Sequence, residues 1–266
     1  MILLTSFGFI GFGLCPRLAL SQSKAPNGFE VRSKTWIGDR PARTGRVRYG
    51  HHHLRIDQGN ETTAIVDLHS GSFTMVMHAR KAYTSVSIAQ MKAQRAASRT
   101  RALAEIERMP PKTRDMLVAQ MKAQDAAMTR TANVEVGTQT RKILGQACRQ
   151  TTWTSPQGRG SACLHMTPPI DTSAFQADAR IFERRLRASG IGTGALALPL
   201  LMLGPHGFAV RTEEESPFGP TQVKTKTDYY DGKAKYFSEE TFRPPRGYQK
   251  LSVDQLMLES SSPSGS

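Results

Sequence analysis

The sequence is short of cysteine, with three in 266 residues, and it has none of the compact motifs that announce catalysis. It contains no GxSxG elbow, no HExxH helix and no P-loop, so nothing marks it as a hydrolase, zinc peptidase or nucleotide triphosphatase of the common kinds. No Cys/His spacing matches a structural zinc site. Gly190-Ile191-Gly192-Thr193-Gly194 is glycine-rich, but it follows a helical pattern and precedes an apolar run. A phosphate loop needs a strand before it and a helix N-terminus after it. Glu213-Glu214-Glu215 approaches a turn at Pro217 and reads as a solvent-facing segment. The expectation is therefore a protein that is not an enzyme and carries no cofactor. No internal repeat occurs, and no apolar run reaches the roughly 20 residues that a membrane-spanning helix needs. Negative charge is scarce as well. Lys and Arg number 36 against 22 acidic residues, a formal net charge of +14, and the isoelectric point is near 10.1. Such an excess attracts polyanions such as nucleic acid, anionic lipid or polysaccharide, or it belongs to a soluble protein that simply favours arginine. No specific nucleic-acid contact is expected.

The sequence begins with an apolar stretch, Ile2–Leu14, which Pro16 ends. Ala19-Leu20-Ser21 then offers the small residues that a signal peptidase reads, so residues 1–21 are expected to be a cleaved export signal. The segment lacks the usual Lys or Arg after Met1. Leu14 is a poor fit for the residue before an acylated cysteine, so Cys15 is not expected to carry lipid. Cleavage leaves Cys148 and Cys163, and an even pair in an oxidising compartment reads as a disulfide. The two flank a turn at Pro156-Gln157-Gly158, between the β-prone Thr151–Trp153 and Ala162–Met166. The expected organisation is a signal over 1–21, a linker over 22–27, one domain over 28–257 and a disordered tail over 258–266. No membrane span remains after cleavage, and the expected location is the periplasm or the cell exterior.

Residues 28–87 read as an antiparallel meander. Phe29, Val31 and Ser33 alternate with Glu30, Arg32 and Lys34, and short strands Thr44–Ile56, Thr62–Leu68, Phe73–His78 and Ala82–Ser87 lie between turn signals. From Ile88 the pattern becomes helical and free of Gly and Pro until Met109-Pro110-Pro111, where a second helix begins and runs to Arg130. This helical insert, 88–130, is rich in arginine. Strand patterns resume at Asn133–Lys142 and the cysteine hairpin, and a third helix is expected over 170–189. The final strands are Phe208–Glu214, Thr221–Tyr230 and Lys233–Glu239, the last two joined by a hairpin turn at Asp231-Gly232. No metal is expected; if one bound, His51 and His53 would share a strand face, with His69 or His78 to complete the set.

Several segments in order resemble an exported bacterial family, the domain of unknown function numbered four-four-one-two. They are Lys81-Ala82-Tyr83, Met109-Pro110-Pro111-Lys112-Thr113-Arg114, Gly145-Gln146-Ala147-Cys148 with Cys163, Gly207–Thr212, and Phe242-Arg243-Pro244-Pro245-Arg246-Gly247-Tyr248. That family is similar in outline to the LolA-like lipoprotein-carrier superfamily. The resemblance implies an α+β, mainly β fold: a curved antiparallel sheet or half-barrel, its concave face covered by the inserted helical hairpin and a further helix. It also implies an exported, non-enzymatic role in binding an apolar or amphipathic ligand, such as lipid or a lipoprotein acyl chain. Met91, Leu103, Ile106, Met109, Leu117, Met121 and Phe182 would line the cleft, methionine suiting a lining that adapts to varied ligands. The alternative is a basic envelope protein that binds an anionic envelope component through the arginine-rich hairpin.

Overall fold

The computed structural model describes residues 24–155, 158–191, 199–218 and 221–252, together with Gln255. The expected signal sequence, the tail, and the glycine-rich and apolar stretch over 192–198 lie outside the described residues. The chain forms strands β1 (Gly28–Ile37), β2 (Arg43–Gly50), β3 (His53–Gln58), β4 (Thr62–Asp67), β5 (Ser72–Met77) and β6 (Ala82–Ser87). Helices α1 (Ile88–Ile106) and α2 (Pro111–Thr129) follow, then β7 (Asn133–Ile143), β8 (Gln146–Ser155) and β9 (Gly158–His165). Helices α3 (Ser173–Ser189) and α4 (Pro199–Leu203) precede β10 (Ala209–Phe218), β11 (Thr221–Lys235) and the two-residue β12 (Gln249–Lys250).

All twelve strands join one open, curved sheet in the order β12-β6-β5-β4-β3-β2-β1-β11-β10-β9-β8-β7. Every pairing is antiparallel except β12 with β6. The period of two places Phe29, Val31 and Ser33 of β1 on one buried face, with Val47 and Tyr49 of β2 and Leu54 and Ile56 of β3 beside them. Helix α3 covers that face because Phe175, Ala179, Phe182 and Leu186 fall on one stripe and are all buried. Phe29, Tyr49, Phe175 and Phe208 form the centre, with ring centroids 5.4–6.1 Å apart. Each such pair contributes about 0.5–1.5 kcal/mol beyond the area it buries. Pro199 opens α4, where its missing N–H costs nothing, and Leu200, Leu201 and Leu203 enter the same core. Ser87 starts α1 with a capping box to Gln90. The hairpin then lies at the β6 end of the sheet: α1 packs on β6 and α3, and α2 packs chiefly on α1. No helix among the described residues is long and apolar enough to cross a membrane.

Three local expectations give way. The stretch 44–56 is two strands, broken by a tight turn in which both His51 and His52 are left-handed, at φ 50° and 63°. Asp231-Gly232 makes no hairpin, because β11 runs on to Lys235 against β1. Asp231, at φ 54°, instead takes up the register shift opposite Glu30 and Arg32 as a bulge. Residues 236–239 therefore form no partner strand; the chain passes into a short 3-10 turn at Glu239–Phe242.

The opposite face is charged and cross-linked. Arg48 donates to Glu30 and to Asp57, both at 2.6 Å, and Arg55 donates to Asp57 at 2.9 Å and to the Thr241 carbonyl at 2.7 Å. Burial alone would raise the Glu30 pKa, but the hydrogen bonds and charges of Arg48 and Lys235 outweigh it and hold the carboxyl below its ordinary 4.5. Cys148 and Cys163 lie on this face in neighbouring strands and are joined as the expected disulfide, packed by Val210 and Ile143.

Two predictions follow from this layer. Replacing both Cys148 and Cys163 with Ser lowers stability by roughly 3 kcal/mol, the chain-entropy value for so short a loop, measured by urea denaturation. Arg48→Met costs about 1–3 kcal/mol, because its half-buried carboxylate partners lose charged hydrogen bonds, whereas Arg43→Ala, which removes an exposed pair with Glu61, stays within about 0.5 kcal/mol. A carboxyl whose folded pKa is depressed stabilises above its unfolded pKa and loses that contribution as pH falls through the folded one. The Arg48 effect therefore shrinks in acid below about pH 4.5, and Glu30→Gln removes that part of the acid sensitivity.

Candidate functional site

Along each central strand the covered face changes chemistry from one end to the other. On β1 it runs Phe29, Val31, Ser33, Thr35; on β11, Tyr229, Thr227, Thr225; on β2, Tyr49, Val47, Gly45, Arg43. The aromatic end lies under α3. At the hydroxyl end a slot of about 160 Å³ opens between the sheet and the start of α4. Its apolar side is Val47, Ile56, Pro199 and Leu200, and its polar side is Ser33, Thr35, Thr212, Thr225 and Thr227. Arg43, Gln58 and Glu214 stand on its border. Gly45 keeps the floor open: a side chain there would meet the Asp57 carbonyl and approach Ser33 Oγ to 2.8 Å.

The hydroxyls are organised. Thr35 and Thr227 share a hydrogen bond of 3.0 Å. Tyr229 is fully desolvated, which pushes its hydroxyl up to about 12 even though side-chain hydrogen bonds with Thr212 and Thr227 act the other way. A wall of hydroxyl groups facing an apolar wall can hold a ligand that is polar along one edge and apolar along the other.

The seven residues expected to line a cleft do not border this slot. Phe182 is wholly buried in the main core, its ring 5.5 Å from Phe73. Met91 packs half-buried against that core. Ile106 is buried, Leu103, Leu117 and Met121 are half-buried, and Met109 is exposed. Two of the hairpin arginines are engaged within it: Arg95 and Arg99 both pair with Asp125, at 2.8 and 3.1 Å.

The triple histidine does not behave as a strand. His51 sits in the turn, 3.0 Å from Asn27 Nδ2 and 2.9 Å from the Phe237 carbonyl, while His53 stacks on Phe242 with centroids 5.6 Å apart. Both rings pack against Phe242, and neither belongs to a group of three candidate metal ligands among the described residues. The imidazoles that meet are His52 and His69, either side of Asp178 on α3, whose carboxylate also accepts from Tyr49 at 2.6 Å. Burial alone would raise the Asp178 pKa; the three donors outweigh it and hold it down.

No protein-family model and no curated protein sequence matches this chain. Among solved structures it is similar to PNGF-II in a C2 and in a P21 crystal form, with identities of 8% and 6% and TM-scores of 0.43 and 0.42. Those matches cover 88% and 87% of this chain but 32% of each PNGF-II chain, so the chain spans about a third of their length. It is also similar to the LolA superfamily protein NE2245 from Nitrosomonas europaea, at 9% identity and a TM-score of 0.28, covering 82% of this chain and 90% of that one.

Proposed function

We propose that this protein is an exported, non-enzymatic binding protein that takes the apolar end of an amphipathic ligand, such as a lipid acyl chain, into the slot beneath α4. Membership of the four-four-one-two family, export by the signal over 1–21 and residence in the periplasm or outside the cell belong to the same reading, with which the Cys148–Cys163 disulfide agrees. The observation that carries the reading is a hydroxyl band set opposite apolar side chains at one end of the covered face, where helix packing alone calls for apolar groups on both sides. The slot's volume corresponds to about five waters of liquid, room for a short run of methylenes but not a whole chain.

Each methylene moved from water into the slot contributes about 0.8 kcal/mol, close to fourfold in affinity. Delipidated protein titrated with saturated fatty acids of increasing length, competing against a fluorescent fatty acid, is expected to gain that factor per carbon over a few carbons and then level off. Thr227→Trp fills the slot and is expected to weaken binding at least tenfold while leaving the melting transition cooperative. A flat length series, or full binding by Thr227→Trp, defeats the proposal.

A second reading rests on the charge of the hairpin. Residues 88–130 carry nine Lys and Arg against four acidic residues, and Lys92, Arg101, Arg108, Lys112 and Lys122 are exposed. Binding to anionic vesicles should then fall steeply with salt, and Arg101→Glu with Arg108→Glu should abolish it. Arg95 and Arg99 are poor choices for this test because reversing them breaks the pairing with Asp125. Binding to vesicles that survives both reversals excludes the hairpin as the anionic site.

A further inference from the structure

The sequence places His52, His69 and Asp178 far apart, and three separate elements bring them together. His52 lies in the β2–β3 turn, at a position where Asn or Gly is the usual residue because both turn residues must be left-handed. A histidine pair held there is strained and persists only where the surroundings enforce it. Here the surroundings do: the Leu68 N–H donates to the His52 carbonyl at 2.9 Å, tying this turn to the β4–β5 turn. That second turn is fixed by Asp67, whose side chain accepts from the backbone N–H groups of His69 and Ser70 at 2.9 and 2.8 Å. The third element is α3, which buries Asp178 to 5% exposure.

The resulting geometry is tight. His52 Nδ1 lies 2.9 Å from Asp178 Oδ2, and His69 Nε2 lies 2.9 Å from Asp178 Oδ1. The two imidazoles stack with centroids 3.9 Å apart and planes 19° from parallel, so their inward nitrogens face the same carboxylate. One donor atom from each residue falls within 4.8 Å of the others, and among the described residues no other group of three His, Cys, Asp or Glu side chains does this.

We infer that His52, His69 and Asp178 form a binding site for a divalent transition-metal ion of the zinc class. Two imidazoles and one carboxylate are the donors such ions prefer over magnesium or calcium, which favour all-oxygen sites. Tyr49 supplies the outer hydrogen bond that fixes the carboxylate, a support that ligating carboxylates commonly have. The imidazole side chains are 57% and 42% exposed, which gives the ion a path in and leaves positions for water or an outside ligand. A bound ion replaces the two His–Asp hydrogen bonds and clamps both turns to α3. The alternative is a purely structural role, in which Asp178 only anchors the turns; Tyr49 on Oδ2 and His69 on Oδ1 would already give each carboxylate oxygen a donor, so that role leaves the stacked His52 imidazole unexplained.

The two roles separate by substitution. His52→Asn and His69→Gln each keep an N–H near the position of the ligating nitrogen, and so preserve the anchor, but neither replaces imidazole as a ligand. Asp178→Ala is not used, because emptying a buried polar position endangers folding itself. Chain purified without a polyhistidine tag and stripped with EDTA is dialysed against Zn²⁺, and bound metal is counted by mass spectrometry. One equivalent is expected for the wild type, with affinity at least tenfold weaker in each variant and the metal-free melting temperatures of all three within a few degrees. Co²⁺ in place of zinc should give visible ligand-field absorption that both variants lose. His78→Gln, on the opposite face, should bind as the wild type does. Substoichiometric zinc on the wild type, unchanged affinity in either ligand variant, or an equal loss in His78→Gln would each overturn the site.

Discussion

Strand β1 hydrogen-bonds along both edges, to β2 over Gly28–Thr35 and to β11 over Gly28–Ile37, and this double pairing joins the two halves of the sheet. On one side of it lies the meander β1–β6, built of sequence neighbours with short turns. On the other lie β11 back to β7, which return from the far end of the chain. The β1–β11 ladder links residues about 200 positions apart, so the loop it closes is costly in entropy. The aromatic group Phe29, Tyr49, Phe175 and Phe208 offsets that cost where it arises: two rings come from the β1–β2 side of the seam, one from the residue before β10 and one from the helix that covers it. Without β1 held between its two partners there is no continuous face for α3, no floor for the slot and no fixed approach of His52 to Asp178.

The meander was legible because most of its turns carry a local signal. Asp57–Asn60 and His69–Ser72 hold glycine or asparagine where the backbone needs it, and the strands between alternate cleanly. The β2–β3 turn has no such signal, since His-His supplies left-handed residues against their preference, and the stretch therefore reads as one strand. Asp231-Gly232 fails in the opposite direction. Its turn chemistry is genuine, but the pairing of β11 with β1 continues on both sides of it, so the same left-handed residue serves a bulge. Tertiary pairing decides between the two uses, and a local window cannot see it. The disulfide was readable from the cysteine count and hairpin pattern alone.

The candidate sites were far less visible. The slot draws Ser33 and Thr35 from one end of the chain and Thr212, Thr225 and Thr227 from the other; in sequence these are ordinary strand threonines. The methionines and leucines of the hairpin suit a ligand lining by composition, but their places on α1 and α2 put them away from the slot, which the β1, β2, β3, β10 and β11 strands and the start of α4 line. The hairpin charge was equally misleading at single residues: Arg95 and Arg99 look free in a list of basic positions, yet they hold the two helices together through Asp125.

The covered face also explains why both candidate sites lie where they do. A face built for helix packing tolerates polar groups only where their hydrogen bonds are supplied from nearby. Asp178 has three donors, from β2 and the two turns, and sits at the aromatic end of the strands, where β2 and β3 turn beside α3. Thr35 of β1, Thr212 of β10 and Thr227 and Tyr229 of β11 hydrogen-bond among themselves at the other end, where α3 gives way to the short α4. The same strands therefore present, along one face, a charged cluster open to solvent, an aromatic core, and a hydroxyl band under a five-residue helix. The core in the middle is what keeps the two ends apart: Phe29 and Val31 separate Ser33 from the turn. A change of Ser33 or Thr227 should therefore leave the histidine pair in place.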